Sequence, residues 1–469
     1  MANDSTSEGS NLEVENSVES ESDEEVPADP IIRDQWVNMM FDSDSDEDDE
    51  EFRGVHNGWT REPVEFVSRV KSSYNRQPGV KIVLAEPVTP IAVFAHYFTE
   101  ELWTRLVTET SRYAEQTRTP SSKWYPVTTE EMKCFIGLCL TMGILKLPAR
   151  RDYWRQKKWI FQTKLREVMS RERFSKIWRY FHLQDNADTS VDHSDKLWKV
   201  RGFLDSLAKT FQELYEVDGH ATVDESMVKF KGRLGFHQYL PLKPIKWGIK
   251  VWVMAESSTG YCANFQVYSG REGPAEKGLA HCVVMDLTNV RSHLSVYMDN
   301  FYLGVELYED MTKMGLGACG TIRARRRGVP PKPCNLPKHG YQVTQKDDLT
   351  FCAWQDTKVV MVLSNFHDPT ATGKVPRRKG QDCQREVTVP GCLVEYQKHM
   401  KGVDLLDQMV GYYLFNHRSK NRWRRLLFFF LTVSCYNSFV VGRTAGWKVG
   451  YKDWVEDLAM ELVTDVCVI

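Results

Sequence analysis

The chain has 469 residues, is 42% hydrophobic and carries a formal net charge of −2. Its length supports two to three packed domains at roughly 100–200 residues each, so a small disulfide-stapled scaffold is excluded. The near-neutral total hides two opposites: residues 1–52 hold nineteen acids and one base, Arg33, a balance of −18, while the other 44 acids face 60 bases, +16.

The acidic segment, with SVESESDEE and FDSDSDEDDEE, has too few large apolar residues to offset chain entropy, and 1–60 is expected to be a disordered tail. A solubilising role, competition with DNA for the basic body and phosphorylation at Ser43 and Ser45 all stay open for it. From about 85 to 218 the pattern is helical. Thr128 and Glu131 form a capping box ahead of MKCFIGLCLTMGIL, and Phe174, Ile177, Trp178 and Phe181 repeat at i, i+3, i+4, i+7, as do Phe203, Leu204, Leu207 and Phe211. The period then changes. Strand-like runs at 220–230, 249–255, 261–268 and 293–298 precede a helical stretch at 302–315, which reads as a mixed α/β unit over 219–324.

Residues 325–387 are rich in Pro, Gly and basic residues and read as an insertion containing two strands, DLTFCAW and KVVMVLS. A helix carrying KGVDLLDQM falls in 388–410, and further helical sequence runs over 411–445. The longest apolar run, Leu426–Val441, is interrupted by Ser434, Asn437 and Ser438; at 16 residues it is too short and polar for a membrane span and reads as a buried helix. Residues 446–469 read as a C-terminal tail. Eleven cysteines occur without a CxxC pair, and no charged-then-apolar leader opens the chain, so reduced thiols and no membrane association are expected.

Four aspartates stand out. Asp224 closes the apolar run Ala221–Val223, Asp299 closes Leu294–Met298, and Asp404 and Asp407 lie three apart, on one face of a helix. Two strand ends and one helix can thus bring carboxylates together. Such oxygens suit Mg²⁺ or Mn²⁺, and a pair of these ions about 3.5–4 Å apart serves phosphoryl transfer. Taken singly, each aspartate reads equally as a turn or cap residue. Glu225 sits beside Asp224, but strand alternation directs it to the opposite face, outside the site.

Basic segments flank these positions. LPLKPIKWGIK supplies Lys243, Lys246 and Trp247; GTIRARRRG supplies Arg323 and Arg325; NHRSKNRWRR supplies Arg418, Lys420, Arg422, Arg424 and Arg425. Lysines and arginines grip phosphates while an aromatic plane stacks on an unpaired base, so these are the candidate DNA-binding residues. Trp247 and Trp423 read equally as core anchors.

VDESMVKFKGRLGFHQYLPLKPIKWGIKVWV, YMDNFYLGVEL and KGVDLLDQM with NHRSKNRWRR, together with ARRDYW and MSRERFSKIWRYFHLQDN, resemble segments of the piggyBac family of DNA transposases, over roughly 85–445. The resemblance implies an α/β RNase H-like catalytic core (219–324 and 388–410) and an all-α DNA-binding and dimerisation domain (85–218 and 411–445). It implies Mg²⁺-dependent cutting and joining of double-stranded DNA at TTAA by Asp224, Asp299 and Asp404 with Asp407 in support, a homodimer, and a nuclear location. No small-molecule cofactor is expected. Many members end in a cysteine- and histidine-rich zinc module; here the sequence runs to MELVTDVCVI with one cysteine, Cys467, so no zinc is expected. That departure keeps a second reading open: a domesticated, transposase-derived DNA-binding or chromatin-associated protein without autonomous transposition.

Overall fold

A computed structural model describes residues 58–464, apart from short stretches at 62–65, 67, 69, 71–76, 120–122, 156–162, 242, 271–276, 290–292, 380–382 and 417–418. The acidic segment with Ser43 and Ser45, and Cys467, lie outside the described residues.

After β1 (Gly79–Val80) come α1 (Pro90–Phe94), α2 (Glu100–Thr117), α3 (Thr129–Leu145), α4 (Leu165–Val168), α5 (Arg171–Tyr180) and α6 (Arg201–Leu214). Their starts follow from local chemistry. Thr99, Thr128 and Ser170 each stand in extended backbone and accept a hydrogen bond from an otherwise orphan amide, those of Leu102, Glu131 and Arg173. The capping residue and the apolar stripes expected from the sequence are both present: Phe174, Ile177 and Trp178 of α5, and Phe203, Leu204, Leu207 and Phe211 of α6, are buried.

β2 (Tyr215–Glu216) pairs with β1, and the chain then builds the central sheet: β3 (His220–Lys229), β4 (Gln238–Tyr239), β5 (Trp247–Glu256), β6 (Cys262–Val267), α7 (Leu279–Thr288), β7 (Ser295–Met298), α8 (Val305–Lys313) and β8 (Gly317–Thr321). β5 runs antiparallel to β3 and is flanked by β4 and β6 on its other side; β3, β7 and β8 are mutually parallel neighbours. Parallel neighbours need crossover connections, which α7 and α8 supply. The region read as an insertion supplies strands that lengthen this sheet, the two expected ones among them: β9 (Tyr341–Lys346), β10 (Leu349–Gln355) and β11 (Val359–Ser364) join through β8–β11 pairing, giving nine strands. β12 (Thr372–Lys379) and β13 (Cys383–Pro390) form a separate ribbon. Then follow α9 (Gly391–His399), α10 (Gly402–Tyr413), α11 (Arg422–Thr444) and α12 (Tyr451–Thr464).

Helices and sheet share one apolar interior. Phe265 of β6 packs edge-on against Phe211 of α6 at 5.8 Å and lies 4.0 Å from Phe430 of α11, centroid to centroid. α11 is long and apolar enough, by length and composition, to cross a membrane, but 89% of its apolar window is buried in the protein. Its Asn437 closes the outer edge of β6, accepting from the Cys262 amide and donating to the Cys262 carbonyl, both at 2.9 Å. The segment expected as a C-terminal tail is instead largely α12. Trp454, Leu458 and Leu462 repeat every four residues and all are buried, so the helix is held by the core.

One contact fixes where α10 stands. The Thr222 hydroxyl of β3 donates to the His399 carbonyl at 2.7 Å and accepts from the Gly402 amide at 3.2 Å, tying the α9–α10 junction to the sheet. A Cβ on Gly402 would lie 2.7 Å from the Glu256 carbonyl and 3.0 Å from the Thr222 hydroxyl, closer than packing permits. Gly402→Ala is therefore expected to cost about 1–3 kcal/mol of stability through overpacking, read as a lower urea midpoint at unchanged slope.

Candidate active site

β3 and β7 pair in parallel from His220↔Ser295 to Val223↔Met298. The next residues are Asp224 and Asp299, so the two carboxylates stand on neighbouring strands where the ladder ends. Asp224 itself lies within β3, which continues to Lys229 against β5. From α10, Asp407 meets the same strand: the Ser226 hydroxyl of β3 donates to its Oδ1. The backbone thus brings Asp224, Asp299 and Asp407 together from three elements.

All three are half-buried, in surroundings rich in negative charge. Burial raises Asp224, and the carboxylates of Glu225 and Asp299 raise it further, against the lowering pull of the Lys243 ammonium. Asp299 is raised by burial as well, opposed by the Phe301 amide that donates to its Oδ1 at 2.8 Å. Asp407 is pushed up to about 6 by burial, with Ser226 and Lys243 lowering it and Asp404 raising it. Asp404 is exposed on the first turn of α10.

Glu225, set aside on strand alternation, belongs to this environment. Its Oε2 accepts from the Tyr302 hydroxyl at 3.2 Å and lies 3.9 Å from the Lys250 ammonium, and its charge acts on Asp224, Asp299 and Asp407. Alternation assigns a side chain to a face but says nothing of the reach of its charge in a medium of low effective dielectric. The lysine that balances it, Lys250 on β5, is buried. A buried lysine in an apolar strand was the signal available in WGIKVWVMAE.

The candidate DNA-binding residues divide. Lys246 and Trp247 are exposed, Trp247 by 42%, so Trp247 is no core anchor. Lys243 is half-buried and engaged, its ammonium 3.1 Å from Asp224 Oδ2 and 2.9 Å from the Glu225 carbonyl. Arg323 and Arg325 are exposed, Arg323 donating to the Asn300 amide oxygen at 3.1 Å. Lys420 is exposed, Arg422 donates to the Lys196 carbonyl, and Arg425 donates to Asn416. Arg418 lies outside the described residues. Arg424, expected at the surface, is buried: its guanidinium donates to the carbonyls of Arg179 and Phe181 and lies 5.3 Å from the rings of Trp178 and Trp423. A helix facing solvent on one side only must bury some of four consecutive residues, and Trp423 draws Arg424 inward with it. Trp423 is the core anchor.

The oxygen donor set fits a hard divalent cation. Among the described residues no three His, Cys, Asp or Glu side chains already converge into a metal-holding cluster, and the cation now beside Asp224 is Lys243. The raised carboxyls give a pH prediction. A carboxyl whose folded pKa exceeds its ordinary value binds more protons folded than unfolded, so stability falls as pH rises, from about 4 through about 6 for Asp407 and onward for Asp224. In EDTA, the midpoint of thermal unfolding is expected to drop by a few degrees between pH 5 and pH 8, and Asp407→Asn to flatten that drop.

The Transposase IS4 family model matches residues 89–439. Human PiggyBac transposable element-derived protein 2 is 26% identical over 403 residues, covering 82% of this chain and 66% of that protein. Human PiggyBac transposable element-derived protein 5 is 24% identical over 375 residues, covering 74% of this chain and 70% of that protein. The piggyBac transposase in a synaptic complex with hairpin DNA, solved by cryo-EM, superposes with a TM-score of 0.73 at 23% identity over 83% of each chain, a likeness of fold. The chain thus spans about two thirds of the first of these relatives. With three quarters of the sequence inside the family model, this chain belongs to the piggyBac transposase family.

Proposed function

We propose that the chain is the core of a DNA strand transferase that cuts and joins double-stranded DNA with the help of Mg²⁺ or Mn²⁺. The observation that carries this reading is the meeting of Asp224 and Asp299 at the end of the β3–β7 ladder, with Asp407 delivered to the same strand by α10. The order β6-β5-β3-β7-β8, three antiparallel strands followed by two parallel ones with α7 and α8 as crossovers, is the arrangement expected of an RNase H-like core. TTAA targets, a homodimer, nuclear action and the division into catalytic core and all-α DNA-binding domain are part of the same proposal.

Asp224, Asp299 and Asp404 would hold the cation, with Asp407, fixed by Ser226, supporting the ligand geometry. Bound there, the ion supplies Lewis-acid activation of the attacking oxygen and stabilises the leaving one. The chain's own groups do the rest. The ladder end sets two carboxylates side by side, and Gly402 and Thr222 hold α10 against β3. Lys243, beside Asp224, would be placed to bind a phosphate oxygen were a cation to take its place at the carboxylate. Asp404, exposed on the first turn of α10, would be the ligand open to solvent.

A second reading, a transposase-derived DNA-binding protein that no longer cuts, draws on the human relatives, which are transposable element-derived proteins. One experiment separates the two. A TTAA-containing duplex incubated with Mg²⁺ or Mn²⁺ is expected to be nicked and joined, with Asp224→Asn and Asp404→Asn each lowering the rate at least a hundredfold. Salt-sensitive binding with no cleavage, equal in all three proteins, favours the second reading.

A further inference from the structure

The groove beside Trp247 is lined by Lys229, Lys231, Pro244, Ile245 and Lys246 and encloses about 200 Å³. That is several times the roughly 30 Å³ share of one water yet below the ~300 Å³ at which small-molecule pockets begin, a size suited to one flat ring. Trp247 forms its wall and belongs to a ladder of three rings. His237 lies 5.0 Å away at 20° and Tyr239 lies 4.4 Å away at 34°. The platform is fixed by backbone: Tyr239 pairs with Trp247 across β4 and β5, and His237 Nε2 is 2.7 Å from the Phe230 carbonyl. Lys229, Lys231 and Lys246 are exposed, and among the described residues none of the three is held in an ion pair.

Fixed aromatic planes beside free ammonium groups match a polyanion that carries flat rings. An apolar peptide would leave three lysines unanswered, and intact duplex keeps its bases stacked inside. We infer that this groove is a subsite for an unpaired nucleobase of the strand being processed, the lysines gripping its flanking phosphates. The inference rests on the strand-transferase reading and locates the base within it. Asp224 faces Val253 across β3 and β5, and Trp247 lies six residues before Val253, about 20 Å along the strand at ~3.3 Å per residue. At ~3.4 Å per step along a strand, the captured base lies about six nucleotides from the phosphate at Asp224.

The test uses the full chain and a TTAA-containing DNA nicked at the expected phosphate, with 5-iodouracil placed singly at positions one to eight from the nick. Ultraviolet crosslinks to the peptide bearing Trp247 are expected only within about six nucleotides; crosslinks mapping elsewhere overturn the inference. In parallel, Trp247→Ala is expected to weaken binding of a single-stranded oligonucleotide about tenfold, with Trp247→Phe recovering most of it. Single-strand affinity unchanged within twofold in Trp247→Ala overturns the subsite and leaves a protein partner as the occupant. Tyr239→Ala serves as a second probe should Trp247→Ala fail to fold. Metal-dependent nicking by the unsubstituted chain is scored separately: crosslinks without nicking sink the strand-transferase reading and keep the subsite, whereas nicking without crosslinks sinks the subsite alone.

Discussion

Everything at the candidate site depends on how closely α10 can approach the sheet. The glycine at 402 lets the helix start lie against the carbonyls of Ala255 and Glu256, and the Thr222 hydroxyl occupies the gap by serving one donor and one acceptor at once. The turn at Gly260, whose φ of +73° favours glycine, packs on the same helix, with Leu406 N 3.1 Å from where a Cβ would stand. A helix held from two sides presents Asp407 to Ser226 at a fixed height. A looser seat would leave the third carboxylate unregistered with the two on the strands.

Concentrating carboxylates at a ladder end carries an electrostatic cost, and the surrounding residues offset it. Lys243 from the β4–β5 loop and Lys250 from β5 approach Asp224 and Glu225 from different elements. Backbone and hydroxyl donors meet the others: the Phe301 amide at Asp299 and Ser226 at Asp407. Burial still wins over these partners, which is why Asp224, Asp299 and Asp407 are all raised. A site strained by its own charge is one in which a bound cation has the most to relieve.

The β4–β5 loop links this chemistry to recognition. Leu240 N donates to the Lys246 carbonyl at 2.8 Å, closing a loop that has Lys243 at the carboxylates and Trp247 at the outer groove. Sequence proximity along a short closed loop therefore becomes proximity between the reacting phosphate and the strand beside it.

Much of this was legible in the sequence. The period change near residue 219 separates helices from strands, the Thr128 cap and the α6 stripe stand where side-chain spacing places them, and the aspartate motifs carry the family resemblance. These are local properties, decided by backbone geometry and by neighbours within a few residues. Tertiary structure decided the rest. That β9–β11 extend the central sheet, that residues 451–464 pack as a core helix, that Arg424 is interior while Trp247 is exposed, and that Glu225 and Lys250 enter the site's electrostatics all depend on which surfaces meet. Burial and charge coupling are pairwise properties of residues far apart in the chain, so they exist only once the fold has brought those residues together.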